Sequence, residues 1–177
     1  MKKENIVITD NFLPKEEFIA LRDTITEEGF PWYFSKTKTY EENLATSPGQ
    51  FNHIAYANSV PTGQFFLSHF EPIMGQLNSP LLARIKLNLN HRLPEPFYSD
   101  FHIDIYDVEE DIIAQMTTSI FYINTNNGYT EFEDGTKVES IANRLVTFPA
   151  NTVHRGVTQT DEQTRILINF NYFKMRK

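Results

Sequence analysis

The hydrophobic positions change their period once along the chain. In "NFLPKEEFIALRDTITEEGF", Phe18, Leu21 and Ile25 recur at helical spacing. Pro14 suits the first helical position, Glu16 and Glu17 fall in the first turn where the helix dipole favours anions, and Gly29 suits the stop. Residues 30–64 carry turn residues and aromatics without a sustained period, and read as loops and short strands. A second helical pattern follows, with Phe66, Phe70, Ile73 and Leu77 on one face. Pro72 lies inside it, so a kink or restart is expected there. From residue 81 the period drops to two. "LLARIKLNLN", "DFHIDIY", "TTSIFYIN", "YTEFED", "TKVES", "RLVTFP", "TVHRGV" and "RILINFNYF" alternate, separated by turn signals such as "NTNNGY" and "EDG". Two helices followed by about eight strands predict a mainly β, α+β chain: an antiparallel sandwich or jelly roll with the helices on one sheet. Phe18, Leu21, Ile25, Phe66 and Phe70 are then the residues that the helices bury.

Length and charge narrow the reading. The 177 residues suit one domain, 1–177, with no repeat and no internal linker. No apolar run approaches the roughly 18 residues of a membrane span. "MKKENIVITD" lacks the apolar region of a signal peptide, so a cytoplasmic location and no membrane partner are expected. Cysteine is absent, which excludes thiolate ligands and thiol nucleophiles and leaves histidine and carboxylates to hold any metal. The net charge of −7, from 16 Lys+Arg against 23 Asp+Glu, disfavours nucleic acid as a partner but leaves room for a small basic pocket. Oligomeric state is not legible.

The candidate chemistry starts at His102-Ile103-Asp104. If "DFHIDIY" is a strand, His102 and Asp104 point the same way and Ile103 the other. With His154, 50 positions beyond Asp104, they can give one metal ion two imidazoles and a carboxylate, the facial triad of non-haem Fe(II) oxygenases. Zinc accepts the same ligands. Arg165 opens "RILINFNYF" and shares a face with Leu167 and Asn169; its guanidinium either reaches solvent or binds a buried anion. His69 and His91 read as structural or surface residues. His53 reads either as packing or as part of a substrate entrance. The run from Asp107 to Asp111 lacks the spacing of a calcium loop and reads as a solvated turn.

The set His102-x-Asp104, His154 and Arg165, on helices followed by a jelly-roll pattern, resembles the prolyl-4-hydroxylase-like group of 2-oxoglutarate- and Fe(II)-dependent oxygenases. "VITDNFLPKEEFIALRDTI" is similar to the N-terminal entry of that group, and "NRLVTFPANTVHRGV" to the strand that leads to its distal histidine. "FPWYF", "RIKLNLN" and "RILINFNYF" resemble smaller members encoded by phages of marine bacteria. The resemblance implies a double-stranded β-helix core, with Fe(II) held by His102, Asp104 and His154. It implies 2-oxoglutarate as cosubstrate, clamped by Arg165 with a hydroxyl hydrogen bond from Tyr122, and O2 as oxidant. The implied activity is hydroxylation of a C–H bond in a prolyl or other residue of a protein or peptide, with release of succinate and CO2. The same chemistry on a small molecule or nucleobase stays open, as does a non-enzymatic metal-binding jelly roll.

Overall fold

The two longest alternating runs, "LLARIKLNLNH" and "TRILINFNYF", become neighbouring strands of a large sheet. The computed structural model describes residues 6–38, 43, 45–62, 66–78, 81–106 and 108–174, with the side chains of 66–68 outside that set. Its elements are β1 (Val7–Thr9), α1 (Lys15–Thr26), β2 (Tyr33–Ser35), β3 (Gln50–Ala57), β4 (Val60–Pro61), α2 (Phe66–Leu77) and β5 (Leu81–His91). There follow the single turn α3 (Glu110–Ile113), then β6 (Met116–Tyr122), β7 (Tyr129–Phe132), β8 (Lys137–Glu139), β9 (Arg144–Pro149), β10 (His154–Val157) and β11 (Thr164–Phe173). The large sheet has the order β1-β9-β6-β11-β5-β3-β2, with β4 paired to β3. A small sheet, β10-β7-β8, faces it. Every pairing in the two sheets is antiparallel. The mainly β fold with a jelly-roll core and N-terminal helices is as expected.

Register fixes which side chains share a face. Arg165 lies opposite Asn90, Leu167 opposite Asn88, Asn169 opposite Lys86 and Asn171 opposite Arg84. The alternate residues Ile166, Ile168 and Phe170 lie opposite Leu89, Leu87 and Ile85. This second set packs under the helices, in one cluster with Phe18, Leu21, Ile25, Phe70, Ile73 and Phe121. Phe18 meets Phe121 edge-on at 6.0 Å, and Phe70 meets Phe170 at 6.2 Å. The predicted helix face is thus buried at Phe18, Leu21, Ile25 and Phe70; the Phe66 side chain lies outside the described residues. Between the sheets, Ile120, Tyr122, Val146, Phe148 and Leu167 pack on Phe132 and Val138. That apolar core fills the β6–β9 half of the interior, and the β5–β11 half is left polar.

Four local expectations need correction. Pro14 is the N-cap, with extended backbone (φ −49°, ψ 142°), and its carbonyl accepts the Phe18 N–H at 3.0 Å. The helix ends at Thr26, and Gly29 (φ 97°) turns the chain afterwards. α2 continues through Pro72 as one helix and does not restart there, with Phe70 and Ile73 buried on either side of the proline. The 30–64 stretch contains a full strand, β3, paired to β5. Its alternation is masked in the sequence by the polar Gln50 and Asn52 and by a bulge between Ile54 and Tyr56 that resets the period. "DFHIDIY" is not a strand. His102 forms a single bridge to His154, and Asp104 sits in a bend.

Candidate metal centre

A lone bridge does the work that a strand was expected to do. The His102 N–H donates to the His154 carbonyl at 2.9 Å, and the His154 N–H returns the bond at 3.0 Å. Upstream, Ser99 Oγ and the Gly156 backbone exchange bonds at 3.0 and 3.1 Å, strapping the 98–102 segment to β10. The two imidazoles come to 5.0 Å between ring centres. One ligand atom from each of His102, Asp104 and His154 falls within 4.8 Å of the others. The predicted triad therefore converges, although by tethering of a loop and not by strand alternation.

The ring nitrogens have defined roles. Nδ1 of His102 lies 2.9 Å from the Asp100 carbonyl, and Nδ1 of His154 lies 3.0 Å from the Thr152 carbonyl. A carbonyl only accepts, so each Nδ1 carries the proton and each Nε2 presents a lone pair. Phe148 packs edge-on to the His154 ring at 4.9 Å. Burial lowers the His102 pKa, the His154 charge lowers it further, and Asp104 pulls the other way. Neutral imidazoles are what a divalent metal needs.

Asp104 is held from the large sheet. Asn169 Nδ2 donates to both carboxylate oxygens at 3.0 and 3.1 Å, Asn171 Nδ2 to one at 3.4 Å, and Arg84 Nη2 lies 3.3 Å away. Burial pushes the Asp104 pKa up. The charges of Arg84, His154 and His102 and the Asn171 bond outweigh it and bring the pKa to about 2. The carboxylate is ionised, oriented and buried (6% exposed). The histidines belong to the small-sheet side and the carboxylate is braced by the large one, so the triad spans the two.

Arg165 lies in the same cavity, 2% exposed, four residues from Asn169 along β11. Nε donates to Ser140 Oγ at 2.7 Å and Nη2 to Thr130 Oγ1 at 3.5 Å. No carboxylate pairs with it among the described residues, and burial lowers its pKa. The backbone makes room for this side chain: a Cβ on Gly128 would stand 2.7 Å from Arg165 Cδ and 2.9 Å from the Val157 carbonyl oxygen. The partners of Arg165 are neutral, the two hydroxyls and the Tyr122 ring at 5.6 Å, so a guanidinium with donors to spare can take an anion here. Tyr122 stands one layer back. Its buried hydroxyl donates to Thr130 Oγ1 at 2.7 Å, and Thr130 is the residue that lines the cavity. His53 faces the helix side, with Nδ1 3.0 Å from the Pro31 carbonyl and the ring 5.0 Å from Phe30, as the packing reading has it.

The cavity also takes in Lys86, Asn88 and Asn90 of β5. Sequence reasoning passed over these, together with Arg84, Asn171 and Thr130. The signal was the polar half of the alternation "R-x-K-x-N-x-N" and "N-x-N", which in isolation describes a solvated face.

No protein-family model matches the chain, and no curated protein matches it in sequence. Solved structures do match in fold. A Pseudomonas putida prolyl-4-hydroxylase superposes with TM-score 0.62 at 16% identity, over 98% of this chain and 94% of that one. The viral collagen prolyl hydroxylase of Paramecium bursaria Chlorella virus-1, in its 2-oxoglutarate complex, gives 0.59 at 14% identity, over 99% and 98%. The non-haem α-ketoglutarate-dependent carbocyclase of nogalamycin biosynthesis gives 0.65 at 13% identity, over 98% and 81%. At these identities the likeness establishes the shared fold.

Proposed function

We propose that this protein is a 2-oxoglutarate- and Fe(II)-dependent dioxygenase that hydroxylates a C–H bond, in a prolyl or other residue of a protein or peptide. The observation that carries the reading is the joint presence, in one cavity, of two Nε2 lone pairs and a carboxylate within 4.8 Å and a buried arginine without an anion. A binding module that uses a structural metal has no need of the second. The fold neighbours support the reading, since the solved relatives include prolyl hydroxylases and one bound to 2-oxoglutarate.

His102, Asp104 and His154 would hold the iron, leaving part of its coordination sphere to other ligands. With 2-oxoglutarate and O2, the iron supplies an oxidation that turns a C–H bond into an alcohol and releases succinate and CO2. The chain's own residues do the positioning. Arg165 binds the distal carboxylate of the cosubstrate, with Thr130 Oγ1 beside it and Tyr122 holding the Thr130 hydroxyl in place. Asn169 and Asn171 keep the Asp104 carboxylate turned toward the metal, and the Nδ1 bonds of the two histidines keep their rings from rotating. Ile120 and Leu167 form an apolar wall that limits water in the cavity.

The test is an anaerobic titration of the Fe(II) protein with 2-oxoglutarate, followed by its metal-to-ligand charge-transfer band. Succinate release in air and mass spectrometry of extract proteins for a gain of one oxygen complete it. The reading predicts a saturable band that is absent from His154→Ala. Lack of any 2-oxoglutarate-dependent band or succinate in the wild-type protein would overturn it.

A further inference from the structure

Two lysines line the cavity beside Arg165: the Lys38 ammonium lies over the Phe97 ring at 5.0 Å, and Lys86 is left unused by the proposed chemistry. It stands on β5 beside Ile54, which is exposed, and opposite Asn169, which orients Asp104. It lines this cavity and also a second hollow walled by Ser35, Thr37 and Tyr106; Lys38, His102 and Asp104 line both. Lys86 is therefore at the passage from the surface to the triad. Its ammonium makes no hydrogen bond and no ion pair with any described residue. Its neighbour Arg84 is already committed, with Nη2 on Asp104 and Nε on Asn171 Oδ1 at 3.1 Å.

Position separates Lys86 from the cosubstrate. Arg165 is opposite Asn90, four residues along β5 from Lys86, which at the rise of a strand is about 13 Å. The two cations thus mark opposite ends of the cavity. Charge points the same way: a divalent metal, Asp104, a doubly charged 2-oxoglutarate and Arg165 sum to neutrality, and the cations Lys86, Arg84 and Lys38 remain. Burial, then Arg84, lowers the Lys86 pKa to about 8, with Asp104 opposing, so the group is mainly protonated at neutral pH. A half-buried ammonium without a counter-ion, beside a reactive centre, is a site that a ligand anion would complete.

Resting on the oxygenase reading above, we propose that Lys86 is a specificity residue that recognises a carboxylate on the primary substrate, a few bonds from the C–H bond that is oxidised. A single free ammonium matches a singly charged group. A phosphate would bring a second charge next to Asp104 with Arg84 already engaged, and the acidic chain as a whole repels polyanions. The carboxylate comes either from a free amino acid or from an acidic residue of a peptide, and one experiment separates the two.

The Zn(II)- and 2-oxoglutarate-loaded protein, which does not turn over, is screened by ligand-observed NMR against matched pairs. One arm uses free L-amino acids against their carboxamides. The other uses short N-acetylated peptides carrying Asp or Glu against the same peptides with Asn or Gln. In one arm the carboxylate member is expected to bind about tenfold or more tightly than its neutral partner, the scale of a charge-assisted hydrogen bond. Lys86→Met should abolish that preference and Lys86→Arg should keep most of it, both with 2-oxoglutarate affinity near wild type. Equal binding of both members in every pair, no binding in either arm, or a preference that survives Lys86→Met overturns the proposal. The separate 2-oxoglutarate titration reports on the oxygenase reading itself. A protein that binds the cosubstrate but ignores the carboxylate sinks only the role of Lys86.

Discussion

The two faces of the β5–β11 pair are made by the same residues in alternation, yet they do opposite things. On one face Ile85, Leu87, Ile166, Ile168 and Phe170 are buried under α1 and α2. On the other, Arg84, Lys86, Asn88, Asn90, Arg165 and Asn169 line or support a cavity. Each buried apolar side chain of the first face contributes about 1.5–3 kcal/mol relative to leaving it in water. The polar face carries desolvated charges, which cost stability until partners are present. This sheet thus separates stability from function by the pleat. Helix packing holds the strands so rigidly that the opposite face can keep an uncompensated arginine at 2% exposure.

The largest effect should come from breaking the apolar face. Phe170 is fully buried, in edge contact with Phe70. Phe170→Ala is expected to lower unfolding free energy by about 3–5 kcal/mol through lost burial and a cavity. Urea unfolding measures it. Metal binding by the fraction that remains folded should be unchanged, since Phe170 points away from the triad.

Next in size is a substitution on the polar face, whose sign should split. Arg165→Ala removes the partner of a desolvated carboxylate and should weaken 2-oxoglutarate binding by about 2–5 kcal/mol, which is tens to thousands of fold. The free protein should lose nothing, because its buried guanidinium has no counter-ion among the described residues; Arg165→Met is expected to be neutral or stabilising in the absence of ligand. Cosubstrate titration and thermal unfolding of the same two variants read the two signs. A loss of stability as large as that of Phe170→Ala would show that the faces are not separable in this way.

How much of this could be read from the chain follows the same division. The apolar face was legible because period and burial agree: Phe18, Leu21, Ile25 and Phe70 fell where helical spacing put them. The triad was legible as residue types but not as geometry. His102 and Asp104 were assigned to a strand, and in the structure a loop is tied to β10 at His102 and to β11 through Asn169. That pinning depends on long-range partners, 52 and 65 residues away, which no local pattern encodes. β3 is hidden in the sequence because Gln50, which lines the cavity, and Asn52, paired with Asn88, are polar. The polar half of an alternating strand looks the same in sequence whether it faces solvent or an internal site.

Acid should weaken the metal-free protein through the polar face, with the exposed Asp10–Arg144 pair at the β1–β9 edge acting in the same sense. Asp104 has its pKa at about 2 in the fold against 3.8 in the unfolded chain. Its stabilisation is full above the unfolded value and is lost as pH falls through the folded one, an effect of about 2 kcal/mol. The His102 pKa is lowered from 6.5, so the folded state prefers the neutral ring. That contribution is present above 6.5 and declines as pH falls below it toward the folded value. Both run in one direction. Denaturant melts at stepped pH should show stability falling on acidification; Asp104→Asn should flatten the segment below pH 4 and, by removing the charge that holds the His102 pKa up, deepen the loss that begins below pH 6.5. A profile that Asp104→Asn leaves unaltered would mean that the carboxylate is not the ionised, braced group described.

The smallest effect tests where the polar face meets the core between the sheets. Tyr122 packs with Ile120 and Val146 and reaches the cavity only through its hydroxyl bond to Thr130 Oγ1, the atom that Arg165 Nη2 also approaches. Tyr122→Phe removes one neutral hydrogen bond, about 0.5–1.5 kcal/mol, and should weaken 2-oxoglutarate binding by no more than about tenfold. The sign matches Arg165→Ala because the Thr130 hydroxyl, once released, can turn away from the bound carboxylate. If Tyr122 acts through Thr130, then Thr130→Val should already contain most of its effect. The double variant should then bind the cosubstrate about as well as Thr130→Val alone, a coupling that a double-mutant cycle reads directly. Strict additivity of the two losses would instead mean that the tyrosine hydroxyl reaches the ligand itself, and would move Tyr122 from the supporting layer into the wall of the site.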